Sequence, residues 1–207
     1  VTVKSAQNLP RIRSCLDSLS GAKLFSTLDL AQGYQQVPLA EEDKIKTAFS
    51  TRAGLKQFKV LPFGLCNAPS SFSKLMEQLM RGLQWDKVLI YLDDVICHSV
   101  DFRGMMVTLK QVLDRFRSAN LKLKPSKCML FQDKVEFLGY VVDQEGIHCD
   151  PKKIETIKNW TTPQSVTEVR SFVGFCQYYR NFVTNFSKIA APLHELTKKG
   201  VKYEWNS

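Results

Sequence analysis

Val88-Leu89-Ile90-Tyr91-Leu92-Asp93-Asp94-Val95-Ile96 is the stretch whose reading decides how this chain folds. On both sides of the paired aspartates the residues are aliphatic and partly β-branched, so the run reads as two buried strands. The aspartates fall where the chain turns back on itself. Asp suits a tight turn because it tolerates turn dihedrals and bonds its own backbone. An acidic surface turn is therefore one reading. The neighbours favour another, being Tyr and aliphatics rather than Gly, Ser or Asn. Two carboxylates at the tip of a rigid, dry hairpin repel each other and call for a counter-charge. A hard divalent cation such as Mg²⁺ supplies it through oxygen ligands.

A third carboxylate lies upstream. Leu24-Phe25-Ser26-Thr27-Leu28-Asp29-Leu30 is another short strand pattern, with Asp29 near its end and Gly33 soon after. A strand ending in Asp beside a hairpin tipped with Asp-Asp brings three carboxylates to one point. Two metals ~4 Å apart, bridged by such groups, activate an attacking 3′-hydroxyl and stabilise the leaving pyrophosphate. The spacing is compatible with neighbouring strands but does not by itself place them side by side.

Tyr91-Leu92-Asp93-Asp94 resembles the YxDD signature of reverse transcriptases, and Phe25 to Tyr34 resembles their first catalytic block. Leu61-Pro62-Phe63-Gly64-Leu65-Cys66-Asn67-Ala68-Pro69-Ser70-Ser71-Phe72 is similar to the block between them, and Phe137-Leu138-Gly139-Tyr140 to the later primer-gripping turn. Order and spacing match as well, over essentially the whole chain. The likeness is to Ty3/gypsy-type LTR retrotransposon polymerases. It implies an α+β fold: the palm of a right-hand polymerase, part of the fingers, and a small helical thumb. Palm and partial fingers would occupy residues 1–147, with the fingers portion about 37–62, and the thumb or connection-like region 148–207.

Composition agrees with a nucleic-acid partner without requiring one. Lys and Arg number 29 against 20 acids in 207 residues, a formal charge of +9 that favours polyanions. The six cysteines show no C-x-x-C pair and no regular interval, which argues against zinc and against a secreted disulfide framework. Three scattered histidines read as surface or packing residues. No apolar run reaches membrane-spanning length, and no signal peptide is present. The chain opens on Val rather than Met and in mid-pattern, as a piece of a longer protein does.

Taken in order, Val1-Thr2-Val3 is strand-like, and Pro10 precedes a helix through Ile12, Cys15, Leu16 and Leu19. Thr47 to Thr51 and Gln57 to Leu61 read as strands joined through Arg52-Ala53-Gly54. Pro69 opens a helix with an apolar stripe at Phe72, Leu75, Met76, Leu79 and Met80. A second helix, Met105 to Ala119, carries Met106, Leu109, Val112, Leu113 and Phe116, with Asn120 as its cap. Leu121-Lys122-Leu123-Lys124 alternates apolar and basic, either a solvated face or, with Lys127, a phosphate-facing edge. Val135 to Val142 is a pair of strands bent at Gly139. Beyond it, Asp150-Pro151 starts a helix with Ile154, Ile157 and Trp160. Ser165-Val166-Thr167-Glu168 is a capping box. An aromatic core run (Tyr178, Tyr179, Phe182, Phe186) and a stripe at Ile189, Leu193 and Leu196 follow.

The resemblance implies roles residue by residue. Asp29, Asp93 and Asp94 would hold two Mg²⁺ ions, with Mn²⁺ as substitute, and Asp94 would be the most peripheral ligand. Tyr34 would stack under the sugar of the incoming dNTP and exclude a 2′-hydroxyl, and Phe63 and Gly64 would line the nucleotide pocket. Tyr91, Leu138 and Gly139 would hold the primer end. Lys122, Lys124, Lys152, Lys153 and Lys158 would meet the backbone of an RNA or DNA template paired with its primer. The implied reaction is RNA- and DNA-directed DNA synthesis. RNase H and integrase regions would lie elsewhere in a pol polyprotein, inside the cell, in cytoplasm, nucleus or virus-like particle, with no membrane partner. The family's upstream fingers segment is absent from this sequence. Two rival classes are a host-retained relic that binds nucleic acid without catalysis, and a structural α+β domain with an accidental Asp-Asp turn. Intact carboxylates argue against the first and four ordered blocks against the second.

Overall fold

A computed structural model describes residues 3–5 and 10–205. The strand reading of Val1-Thr2-Val3 falls largely outside them; Val3 itself is not in a strand. The chain runs through α1 (Ile12–Asp17), β1 (Leu24–Asp29), a 3₁₀ turn over Gly33–Gln36, and α2 (Glu41–Lys44). Next come β2 (Phe49–Thr51), β3 (Gly54–Lys56), α3 (Ala68–Leu79), β4 (Val88–Tyr91), β5 (Asp94–Ser99) and α4 (Phe102–Ser118). A 3₁₀ turn at Pro125–Lys127 leads into β6 (Met129–Gln132), β7 (Lys134–Phe137), β8 (Tyr140–Asp143) and β9 (Gly146–Cys149). Three helices close the chain: α5 (Pro151–Lys158), α6 (Val166–Tyr178) and α7 (Phe186–Glu195).

The central sheet is four-stranded and antiparallel, in the order β4-β5-β1-β6. Its period-2 alternation sends Leu28, Val88, Ile90, Val95 and Cys97 to one side, where they join Phe72, Met76 and Met80 of the α3 stretch and Met105, Leu109, Val112 and Phe116 of α4. Each such side chain, fully buried, is worth roughly 1.5–3 kcal/mol before entropy is charged against it. Phe25, Leu89 and Ile96, on the alternate positions, are also 0–1% exposed, so the sheet is covered on both faces. Ser26 is the one polar interruption of β1 that is fully buried, and it is satisfied twice. Its hydroxyl donates to Met105 Sδ at 3.4 Å and accepts from Phe131 N–H at 3.0 Å. That second bond falls where the β1–β6 register shifts and Phe131 adopts φ 54, so the hydroxyl takes up an N–H the ladder leaves out.

Helix α3 has Pro in its first turn, as its sequence predicts, and the stripe through Phe72, Met76 and Met80 is buried. Asn67, just ahead of it, pairs like a strand residue with the described N-terminal segment: Nδ2 donates to Val3 O, and Oδ1 accepts from Ser5 N–H. Helix α4 starts earlier than its periodicity predicts, because Asp101 caps it by accepting from Gly104 N–H. Its buried face is Met105, Leu109, Val112 and Phe116; Met106 and Leu113, read as core, are 49% and 40% exposed.

The region read as two fingers strands is also corrected. Thr51 pairs with Gly54, so β3 begins at once and the turn is Arg52-Ala53. Residues 57–61 form no second strand; they return to pair with 37–39 through Leu39 N–H to Lys59 O and Leu61 N–H to Val37 O. Both β2 and β3 are exposed along their whole length.

Strands β7, β8 and β9 form a three-stranded sheet in that order. The chain divides into two compact units, Val1–Leu138 with Val142–Ile147, and Gly139–Val141 with His148–Ser207. In the second unit, Asp150 caps α5 by accepting from Lys152 N–H, and Ser165 caps α6 by accepting from Glu168 N–H. The Glu168 carboxylate reaches back to Gln164 N–H, completing the box one residue earlier than the reciprocal motif requires. Trp160 packs edge-on to Phe172 at 5.5 Å, and Tyr140 stacks on Tyr178 at 5.0 Å. The aromatic run read as core is only partly so: Tyr179 is buried, whereas Tyr178 and Phe182 are 39% and 43% exposed. Ile189, read as part of the last stripe, is 63% exposed, and Ala190 takes the buried place. Among the described residues no helix is long and apolar enough to cross a membrane.

Candidate active site

The register of the central sheet brings the two acidic stretches together. Asp29, the last residue of β1, lies directly across from Asp94, the first of β5. Asp94 also pairs with Tyr91 across the β4–β5 hairpin, so Leu92 and Asp93 are the two residues of the turn. Leu92 sits at φ 57, a left-handed conformation costing an L-residue roughly 1–2 kcal/mol. Strands buried on both faces hold it there. Because Asp29 and Asp94 form a cross-strand pair, both project from the face opposite the α3–α4 core.

Like charges crowd this edge. Burial raises the Asp94 carboxyl above its ordinary value, and the charges of Asp93 and Asp29 push it further in the same direction, with Lys127 opposing. Lys127 Nζ stands 3.3 Å from Asp29 Oδ2, an ion pair open to solvent and correspondingly weak. The backbone delivers that lysine: Lys124 N–H donates to Asp29 O at 2.8 Å, and the 3₁₀ turn at Pro125–Lys127 follows.

Two clefts meet at Asp29 and Lys127. One, of about 520 Å³, runs past Gly33, Tyr34, Phe63, Asp93 and Lys124. The other, of about 170 Å³, runs past Asp94, Glu136, Phe137 and Leu138. Tyr34 is held edge-on between Phe63 at 5.4 Å and the buried Phe72 at 5.1 Å. Gly33 permits that packing, since a Cβ there would stand 2.8 Å from the Phe72 ring. Tyr34 is thus a core aromatic on one side and a cleft wall on the other. Burial raises its hydroxyl pKa, and the Asp93 charge adds to the shift. Phe63 is 67% exposed, and Gly64 after it turns the chain at φ 93.

The remaining predicted residues scatter more widely. Tyr91 is half-buried at the end of β4. Leu138 and Gly139 form a turn with both residues left-handed, φ 49 and 73. Within the second unit the Tyr179 hydroxyl donates to Gly139 O at 2.8 Å, and burial first among the causes pushes that phenol up to about 12. Lys122 and Lys124 are exposed on the segment that continues the pairing of β1 past Asp29. Lys152, Lys153 and Lys158 are exposed on α5, and Lys153 Nζ stands 6.0 Å from the centre of the Phe175 ring. Sequence reasoning missed the Lys127–Asp29 pair and all of the bonds made by Gln36. The Lys127–Asp29 pair and the Gln36 bonds to Lys122 leave no local signal, since they join residues about ninety positions apart.

An antiparallel sheet with one carboxylate ending a central strand, two more at the adjoining hairpin, and helices packed behind it is the palm of a right-hand polymerase. The chain belongs to the reverse transcriptase (RNA-dependent DNA polymerase) family, whose pattern matches residues 2–142. It is 41% identical over 197 residues to the retrovirus-related Pol polyprotein from transposon 412 of Drosophila melanogaster, covering 95% of this chain and 16% of that one. The Pol polyprotein from transposon gypsy of the same species is 37% identical over 197 residues, covering 95% and 19%. Among solved structures, the foamy viral protease-reverse transcriptase dRH in complex with double-stranded DNA matches with TM-score 0.91 and 28% identity, over 100% of this chain and 36% of that one. The foamy viral protease-reverse transcriptase in complex with an RNA/DNA hybrid matches at 0.83 and 27%, over 97% and 27%. The chain spans less than a fifth of the two Drosophila polyproteins.

Proposed function

We propose that this chain is the polymerising core of a retrotransposon reverse transcriptase, adding dNTPs to a primer 3′-hydroxyl on an RNA or DNA template. The observation that carries this reading is the Asp29–Asp94 cross-strand pair with Asp93 at the adjoining turn, at the meeting of two clefts. The carboxylates lining the two clefts are Asp29, Asp93, Asp94 and Glu136, with no imidazole or thiolate beside them, which suits Mg²⁺ or Mn²⁺ rather than zinc. Asp29 and Asp93 would be the principal ligands and Asp94 a peripheral one. Bound there, two such ions supply Lewis-acid activation of the 3′-hydroxyl and neutralise the leaving pyrophosphate.

The chain's own residues do the positioning. Tyr34, backed by Phe72, presents a ring that leaves no room for a 2′-hydroxyl, and Phe63 walls the same pocket beside Gly64. Lys124 and Lys127 bring positive charge to the cleft where a triphosphate would lie. Leu138, on the other cleft, would hold the primer end with Gly139 and Tyr91. Lys122, Lys124, Lys152, Lys153 and Lys158 would meet phosphates and leave sequence to the templating base. The parent polyprotein, intracellular and also bearing RNase H and integrase, completes the proposal.

Primer extension by the parent polyprotein tests it. Asp93→Asn keeps the shape of the turn and removes a ligand charge, so extension should fall by about a hundredfold or more. Primer-template binding should persist, because the loss of an acid costs a polyanion nothing. Extension at parental rates by the Asn variant would overturn the reading.

A further inference from the structure

We propose that Gln36 is a positioning residue for the incoming nucleotide, acting through the turn that carries Tyr34; this rests on the polymerase reading above. Gln36 ends the four-residue 3₁₀ turn that starts at Gly33. Its Nε2 donates to Ala31 O at 2.7 Å and to Lys122 O at 2.9 Å, while its Oε1 accepts from Lys122 N–H at 2.6 Å. The side-chain amide therefore pairs with Lys122 in both directions, as a peptide unit of a neighbouring strand would. All three of these bonds go to backbone atoms.

The same backbone holds Asp29. Ala31 N–H donates to Lys122 O at 2.9 Å, Leu30 and Leu123 form an antiparallel bridge, and Lys124 N–H donates to Asp29 O at 2.8 Å. Gln36 thus ties the turn bearing Tyr34 to the segment that also holds the end of β1. Within the turn, Gln35 N–H donates to Gln32 O at 2.9 Å and Val37 N–H to Tyr34 O at 3.1 Å, bonds that shape the turn without tying it to β1. It begins from Gln32 at φ 53, without a side-chain cap. The Tyr34 ring is fixed by Phe63 and Phe72, but ring contacts alone permit it to tilt, and its distance from Asp29 is set by the backbone that Gln36 clamps. A platform that discriminates sugars by excluding one hydroxyl tolerates little displacement.

Steady-state incorporation of deoxy- and ribonucleotides by the parent polyprotein separates this role from a structural one. Gln36→Met keeps the length and volume of the side chain and removes all three bonds. It should raise KM for dNTPs roughly tenfold and narrow deoxy-over-ribo selectivity by a similar factor. The kcat should stay within about twofold of the parent. Gln36→Glu keeps the acceptor for Lys122 N–H but points an anion at two carbonyls, so its effect should be at least as large. Parental KM and selectivity in either folded variant would overturn the proposal. Variants that no longer fold would overturn it too, by showing that the clamp holds the palm rather than the nucleotide platform. A parent that extends no primer would instead sink the polymerase reading.

Discussion

Two of the hairpins with two-residue turns, β2–β3 and β4–β5, meet the same backbone problem in opposite ways. β2–β3 turns through Arg52-Ala53 and places a left-handed residue at Gly54, φ 96, where no Cβ is strained. β4–β5 turns through Leu92-Asp93 and forces the left-handed conformation on leucine. The difference lies in what surrounds the strands. Every residue of β2 and β3 is exposed, whereas Val88, Leu89, Val95 and Ile96 are 0–2% exposed. A two-stranded ribbon alone is marginal in water and cannot hold strain. A hairpin locked into a four-stranded sheet can, and strained backbone of that kind collects at functional turns.

The largest effect that separates the two hairpins is packing. Ile96→Ala should cost about 2–5 kcal/mol of global stability, because a fully buried side chain is lost and its cavity remains. Phe49→Ala, at a side chain 44% exposed, should cost no more than about 1 kcal/mol. Denaturant unfolding followed by circular dichroism reads both, and equal costs would break the contrast. Next comes the turn glycine. Gly54→Ala meets nothing within 4 Å, so its penalty of about 1 kcal/mol is purely conformational. The penalty should appear as faster amide exchange over residues 49–56, with the global unfolding midpoint unmoved. A shifted midpoint would show that the exposed hairpin is part of the cooperative core.

The smallest effect is electrostatic. Asp94 has its carboxyl raised by burial and by Asp93 and Asp29, so the folded protein binds that proton more tightly than the unfolded chain. Stability should therefore fall as pH rises from the ordinary carboxyl value of 3.8 through the raised one. Asp94→Asn should be the more stable protein at neutral pH, with the advantage vanishing below that ordinary value. Thermal melts of parent and variant across that range check it; a gap independent of pH would mean that the strain at this hairpin is steric alone.

What the sequence made legible follows from where the interactions lie. β1, β4 and β5 could be read because their aliphatic runs are bounded by acids, and α5 and α6 because Asp150 and Ser165 cap them locally. The face of α4 was not legible, since Met105-Met106 and Val112-Leu113 are adjacent apolar pairs that fit two helical phases equally well. The segment 57–61 alternates like a strand, yet its partner is the distant 37–39 rather than a hairpin neighbour. At the candidate site the three aspartates stood out by pattern. Gln36 and Lys127 did not, because each acquires its significance from a partner that only the tertiary fold supplies.

Inserting one residue into β1 ahead of Asp29 would send every side chain beyond it to the other face of the sheet. The aspartate would then point toward the Phe72 and Met76 side, and its place opposite Asp94 would pass to a neighbour. An added residue between Arg52 and Ala53 merely lengthens an exposed loop, at a cost in closure entropy of well under ~1 kcal/mol. Length changes in descendants of this gene should therefore gather at positions 52–53 and be purged from 24–29 and 88–99, whatever substitutions those strands accept.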